Sequence, residues 1–199
     1  MKKLFLVILL ISIPCFAEEV PGYMRVDVDK LGTQIWFGAT HNYKGVNLAS
    51  DVYMNSTFSE LDIGILINLR KNLAILPMIG VSFDFQNRNI AQHIHQLYIY
   101  WNMLSDVYFE SWEEIFVELK KEFKPSYFYN RSILLYNLTP TKAIGPHVEF
   151  SQNKDEIFSL VYGGAFNICY GKSNILRIVL GKETKNKLGT STFGKTEAA

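Results

Sequence analysis

Cysteine is almost missing from this chain of 199 residues, which has two. Cys15 lies in an N-terminal stretch that reads as removable, so Cys169 is left alone and no intramolecular disulfide can form. An exported protein of this size without disulfides must draw its stability from a large core, a closed sheet or a membrane. Clustered positive charge is absent too, which speaks against nucleic acid as a partner. Beyond the N-terminus no segment keeps about 18 apolar residues in a row, and membrane helices are thereby excluded.

The first residues, MKKLFLVILLISIPCFA, set Lys2 and Lys3 before an apolar run over 4–13. Cys15 and Ala17 are small residues at −3 and −1 of a cut after Ala17, the pattern of a secretory signal peptide. The apolar core is short for a transmembrane helix. Pro14 before Cys15, and no Leu at the −3 position, argue against lipoprotein processing. Cleavage leaves residues 18–199, with 18 basic against 19 acidic residues, enough chain for one domain. The division expected is a signal peptide over 1–17, a β-barrel domain over 18–183, and a polar tail or weak last strand over 184–199.

What the chain has in quantity is alternation. Over 59–85 the residues Leu61, Ile63, Ile65, Ile67 and Leu69 recur at every second position, with Glu60, Asp62 and Gly64 between them. After Arg70-Lys71-Asn72 the pattern resumes with Leu73, Ile75, Pro77, Ile79, Val81, Phe83 and Phe85, now separated by Met78, Gly80, Ser82 and Asp84. Side chains alternate faces along a strand, so this is a hairpin with one greasy face and one small or polar face. Each arm has the length of a tilted strand that crosses a bilayer.

Similar runs occupy 34–41, 92–104, 127–138, 142–150, 157–168 and 174–182, with a weaker one at 23–29. Residues 42–50 read as a polar loop, and 51–69 as one run into the hairpin. Residues 107–123 fit two periods. At period two, Glu110, Trp112, Glu114 and Phe116 share a face. At period 3.6, Trp112, Ile115, Phe116, Leu119 and Phe123 line a helix that Ser111 and Glu114 would cap. The strand is favoured because strands flank it. Eight to ten strands joined by short turns make an all-β, antiparallel up-and-down meander, which removes its edges by closing into a barrel with a small lumen.

Alternation alone leaves open which face is inside. Three features turn the apolar face outward, as in a transmembrane barrel. The other face carries Gly64, Gly80, Ser82, Gly145, Ser159, Gly163 and Ala165, small enough for a crowded lumen. Its charges are of both signs, Glu60, Asp62, Asp84, Glu149, Arg131 and Arg177, and can neutralise one another there. Aromatic residues near strand ends (Phe58, Phe83, Phe85, Trp101, Tyr136 and Phe158) suit interfacial girdles. The lipid-facing set is then Leu61, Ile63, Ile65, Ile67, Ile79, Val81, Phe83, Leu160 and Ile178.

With its signal peptide, alternating strands of about ten residues and short turns, the chain resembles the small bacterial outer-membrane β-barrel proteins. The resemblance implies a Gram-negative envelope, outer-membrane lipid as surroundings, insertion by the barrel-assembly machinery, and often no enzymatic activity. The chain departs from that class at its end, where Phe193 is followed by GKTEAA instead of closing on an aromatic residue. Two other readings stay open: a periplasmic, lipocalin-like carrier with the apolar face inside, and a rim-located enzyme that modifies lipid A.

Few residues suggest chemistry. His93 and His95 share a strand face at a spacing that suits a metal, with Asp84 as a third group across the hairpin, yet a site needs three or four ligands. His147 and Glu149 share a face with Arg131 on the preceding run, a polar lumen cluster with no nucleophile matched to it. Gly171-Lys172-Ser173 is a hairpin turn without the glycine spacing of a phosphate loop. No cofactor is expected.

Overall fold

The computed structural model describes residues 22–29, 32–119, 125–153, 157–170 and 174–187. Among them are eleven strands: β1 (Gly22–Asp29), β2 (Gly32–Tyr43), β3 (Val46–Met54), β4 (Phe58–Arg70), β5 (Leu73–Asp84), β6 (Asn89–Asn102), β7 (Val107–Glu118), β8 (Pro125–Thr139), β9 (Lys142–Asn153), β10 (Ile157–Tyr170) and β11 (Asn174–Lys187). They form one sheet in chain order, each antiparallel to the next, with no crossover. The signal-peptide stretch and residues 188–199 lie outside the described residues, while β11 runs past the boundary expected at 183.

The sheet is curled. Trp36 on β2 and Trp112 on β7 meet edge to face at 6.3 Å between ring centroids. In a flat sheet five strand spacings would hold them about 24 Å apart. Arg131 on β8 comes within 4.0 Å of Asp27 on β1, although seven strand spacings separate these strands along the ladder. The result is a curled up-and-down wall around a narrow interior; among the described residues β1 and β11 are not paired with each other, so the closure expected of the barrel is not seen there.

Two segments differ from the sequence reading. Residues 42–50 are not a loop. Lys44 and Gly45 both adopt positive φ (52° and 87°), which a two-residue hairpin turn needs to match the twist of its strands. Asn42 Oδ1 accepts the Gly45 N–H at 3.1 Å, and Asn42 Nδ2 donates to Asn47 Oδ1 at 2.7 Å. The expected single run over 51–69 is therefore split by the loop at Asn55, whose Oδ1 accepts the N–H groups of Thr57 and Phe58. Residues 107–118, by contrast, are the strand that the sequence reading favoured: β7 is paired along both edges, with β6 and β8.

Two prolines leave their mark on the ladders. Between β4 and β5 the pairing lapses from Gly64↔Met78 to Ile67↔Ile75, around Pro77. Between β8 and β9 it lapses from Ile133↔His147 to Tyr136↔Ile144, around Pro146. Proline has no N–H to give, so each interruption falls where the ring stands.

The face parity is uniform. Leu61, Ile63, Ile65, Ile67, Ile79, Phe83 and Ile178 are exposed on the outer face, and Val81 and Leu160 are half-buried there. Adjacent residues show the inversion most sharply: Asp62 is 0% exposed and Ile63 is 58% exposed. Phe83, Phe85, Trp101 and Tyr136 also face out near strand ends. Phe58 does not. It turns inward onto Tyr53, 5.3 Å between centroids, because at the start of β4 it shares the parity of Glu60. The side chain of Phe158 lies outside what is described.

Candidate functional site: the lumen

The interior is layered along the barrel. At the end that carries the Lys44-Gly45, Lys71-Asn72 and Pro140-Thr141 turns, Ile133, Leu135, Ala143 and Ala165 pack with Tyr108. Beside them Ala49, Leu76 and Met78 pack with Leu66 and Tyr100. Toward the opposite end Trp36, Tyr53 and Trp112 stack with Phe58, Tyr98 and Tyr129. Charged side chains from seven strands lie between these apolar and aromatic layers.

One part of that charged layer is a compensated network. Glu110 on β7 accepts Arg177 Nη1 at 2.8 Å and Arg177 Nη2 at 3.2 Å, the two-pronged geometry that suits a carboxylate. Arg131 Nη2 stands 3.5 Å from the same carboxylate. Arg177 Nε donates to Asn167 Oδ1 at 3.0 Å. Arg25 pairs with Asp27 on its own strand and lies 4.6 Å over the Trp36 ring, while Arg131 lies 5.4 Å from the Trp112 ring. Next to them His147, 1% exposed, holds Nε2 3.0 Å from Glu149 Oε1, and Glu149 stands opposite Arg131 in the β8–β9 register.

The other part is acidic. Asp51 on β3 is the register partner of Asp62 on β4. Glu60 on β4 and Glu114 on β7 reach each other across the interior. Glu114 Oε1 accepts Gln96 Nε2 at 2.8 Å. All four carboxylates are at most 5% exposed. Gly80 on β5 makes room for them, since a Cβ there would run into the Asp62 carboxylate and come within 2.6 Å of the Leu61 carbonyl.

The sequence reading grouped Glu60, Asp62, Asp84, Arg131, His147, Glu149 and Arg177 as one lumen cluster. The structure turns Glu60, Asp62, Arg131, His147, Glu149 and Arg177 inward but divides them between the two parts. Asp84 shares the inner parity, opposite Phe58, but stands at the rim, apart from both groups. At the end of β5 its carboxylate accepts the N–H groups of Gln86 and Asn87, at 2.7 and 2.9 Å, and so serves the β5–β6 turn. His93 and His95 lie on the outer face, on either side of the fully buried Ile94, with His95 between Ile79 and Ile115 in mid-wall. They do not converge with Asp84, and no group of three or more metal-ligating side chains occurs among the described residues.

Sequence reasoning missed Asp51, Arg25, Asp27 and the pairing roles of Glu110 and Glu114. The signal was present for β7, where the period-two reading put Glu110, Trp112, Glu114 and Phe116 on one face. For Asp51 it was hidden, because residues 42–50 read as a loop and left β3 without a start.

Above the acidic residues the lumen widens to a cavity of about 410 Å³ lined by Trp36, Tyr53, Glu60, Trp112, Glu114 and Arg131 among others. A larger rim cleft of about 870 Å³ lies by the Asn55 and Phe85–Arg88 loops.

An antiparallel up-and-down barrel with its apolar stripe outside and its charges inside has the fold class of the outer-membrane barrels. No protein-family model and no curated protein matches the chain. Among solved structures the chain is similar to the KdgM porin, at a TM-score of 0.54 and 12% identity, over 81% of this chain and 88% of that one. It is likewise similar to the KdgM porin in complex with disordered oligogalacturonate, at a TM-score of 0.55 and 12% identity, over 82% and 91% of the two chains. At this identity the likeness is one of fold: a small porin-type barrel.

Proposed function

We propose that the protein is an outer-membrane β-barrel of a Gram-negative-type envelope whose lumen holds or passes a small polar solute without catalysis. The observation that carries this is the inversion at Asp62 and Ile63, in which the charge is sealed inside and the branched aliphatic side chain faces out. A barrel in water would bury Ile63; a barrel in lipid exposes it. On this reading Leu61, Ile63, Ile65, Ile67, Ile79, Val81, Phe83, Leu160 and Ile178 contact outer-membrane lipid. Residues 1–17 direct export, and the barrel-assembly machinery inserts the wall. The tight turns at Lys44-Gly45 and Lys71-Asn72 face the periplasm, where such barrels keep their short connections.

The porin neighbours support a solute role, and one of them is described in complex with an oligosaccharide. The outward stripe speaks against the soluble-carrier reading. The rim-enzyme reading needs a histidine beside a nucleophile at a strand end, whereas His147 sits in the interior against Glu149. The test is electrophoresis of the detergent-extracted protein with and without boiling. A faster-migrating unboiled band is expected. Recovery as a freely soluble monomer without detergent would reject the reading.

A further inference from the structure

We propose that the acidic side of the lumen, centred on Glu60 and Asp62, binds aliphatic amines that carry two or more ammonium groups. This deepens the solute reading above and rests on it.

The lumen's two charged parts are unequal. On one side Arg25, Arg131 and Arg177 find their anions in Asp27 and Glu110. On the other, Asp51, Glu60, Asp62 and Glu114 face one another. The lining of the 410 Å³ cavity alone sets two arginines against four carboxylates, Asp27, Glu60, Glu114 and Glu149. A solute entering this space meets twice as many carboxyl groups as guanidiniums.

Hydrogen-bond accounting gives the ligand's chemistry. Asp62 Oδ1 and Oδ2 are buried without a hydrogen-bond partner, as is Gln96 Oε1 two strands away; elsewhere in the lumen Trp112 Nε1 and His147 Nδ1 also lack one. The three atoms on the acidic side are acceptors. Ionised carboxylates only accept, so the facing Asp51 meets Asp62 only through a proton held between them, the contact that an ammonium group would replace. Leaving such atoms unmet costs about 1–3 kcal/mol each, more for a charged group. What the three acceptors lack is a donor, which an ammonium group would supply.

Its shape follows from the spacing. No three of these carboxylates are gathered as ligands of one metal ion. Glu60 and Asp62 share the inner face of β4 two residues apart, about 7 Å along the strand. That suits two ammonium groups on a short alkyl chain better than a single point charge. The stem has a surface to lie on, since Trp36, Tyr53 and Trp112 line the cavity beside Glu60 and Glu114. Aromatic faces attract ammonium groups and shed water from the methylenes between them. The cavity volume is in the range of small-ligand sites, about 300–1,000 Å³.

The experiment is equilibrium dialysis of labelled spermidine against the full protein in an uncharged detergent at low salt, with oligogalacturonate as the opposing polyanion. Saturable spermidine binding is expected, weakened at least tenfold by Glu60→Gln and by Asp62→Asn, and unchanged by Glu113→Gln on the outer face. Oligogalacturonate should not compete for the site. The amine proposal is overturned if a heat-modifiable, hence folded, barrel binds no spermidine. It is equally overturned if both lumen variants bind as well as wild type, or if oligogalacturonate binds more tightly than spermidine. Those results leave the outer-membrane reading standing. A protein that needs no detergent and shows no heat-dependent band fails at the earlier step instead.

Discussion

Replacing Ile63 by arginine separates a lipid-facing wall from a water-facing one. Ile63 is 58% exposed on the outer face of β4 and pairs with Ile79, itself 59% exposed. It lies about 17 Å along the strand from Phe58 and about 24 Å from Arg70, at a rise of about 3.4 Å per residue. Even with the strand tilted, a guanidinium placed there cannot extend to either interface. A cationic side chain at the bilayer midplane of such a wall costs about 2–4 kcal/mol. That corresponds to a drop of about 30-fold to about 700-fold in the folding equilibrium constant. On an aqueous surface the same change should stay within about 0.5 kcal/mol. The assay is reversible urea unfolding of the protein inserted in phosphatidylcholine vesicles, followed by Trp fluorescence and by the electrophoretic shift. Glu113→Leu is the companion variant, since Glu113 is an outward carboxylate midway along β7. It should change stability in the opposite direction. If Ile63→Arg unfolds at the wild-type urea concentration, the wall does not face lipid and the reasoning fails.

Two further changes probe the interior. Gly80→Ala should destabilise by about 1–3 kcal/mol in the same unfolding assay, because the added methyl meets the Asp62 carboxylate and the Leu61 backbone; a neutral result would mean that Asp62 does not sit where the structure puts it. Glu110→Gln removes the charge that Arg177 and Arg131 share and should cost about 1.5–3 kcal/mol, with Glu110→Asp recovering part of the loss as measured by urea midpoint.

The β4–β5 hairpin was legible because one face is a nearly unbroken branched-aliphatic set and the other mixes glycine with acids. Period two then assigns every side chain. The same argument failed at β3, where inward Asn47, Ala49 and Asp51 alternate with outward Leu48 and Ser50, so neither face declares itself. Its turn was obscured as well, because Lys44 takes a positive φ where Asn, Asp or Gly is the usual marker. β7 was ambiguous for another reason. Trp112 and Phe116 point into the lumen with Glu110 and Glu114, so its inner face is as aromatic as it is charged, and helical spacing fits by coincidence. Phe58 shows the limit of composition: an aromatic residue at a strand end belongs to a girdle or to the lumen according to parity alone. The pairing of Arg177 with Glu110 could not be read at all, since it spans strands four apart and depends on how tightly the sheet curls.

The division of the lumen also bears on whether a purely structural role is enough. Sealing a narrow barrel needs only the kind of packing seen at Ile133, Leu135 and Ala165, which are at most 3% exposed. Replacing buried charges with well-packed apolar side chains is often neutral or stabilising. A wall selected for stability alone would have little reason to bury Asp62 with both oxygens unmet, opposite Asp51 and against a glycine that leaves its carboxylate space. The three guanidiniums do not share this defect, because each lies within 3.5 Å of a carboxylate, whereas His147 Nδ1 beside them and Trp112 Nε1 in the cavity wall do. Buried polar groups short of a partner next to a cavity with an aromatic lining are what a solute site produces, held unsatisfied until the ligand supplies the missing contacts.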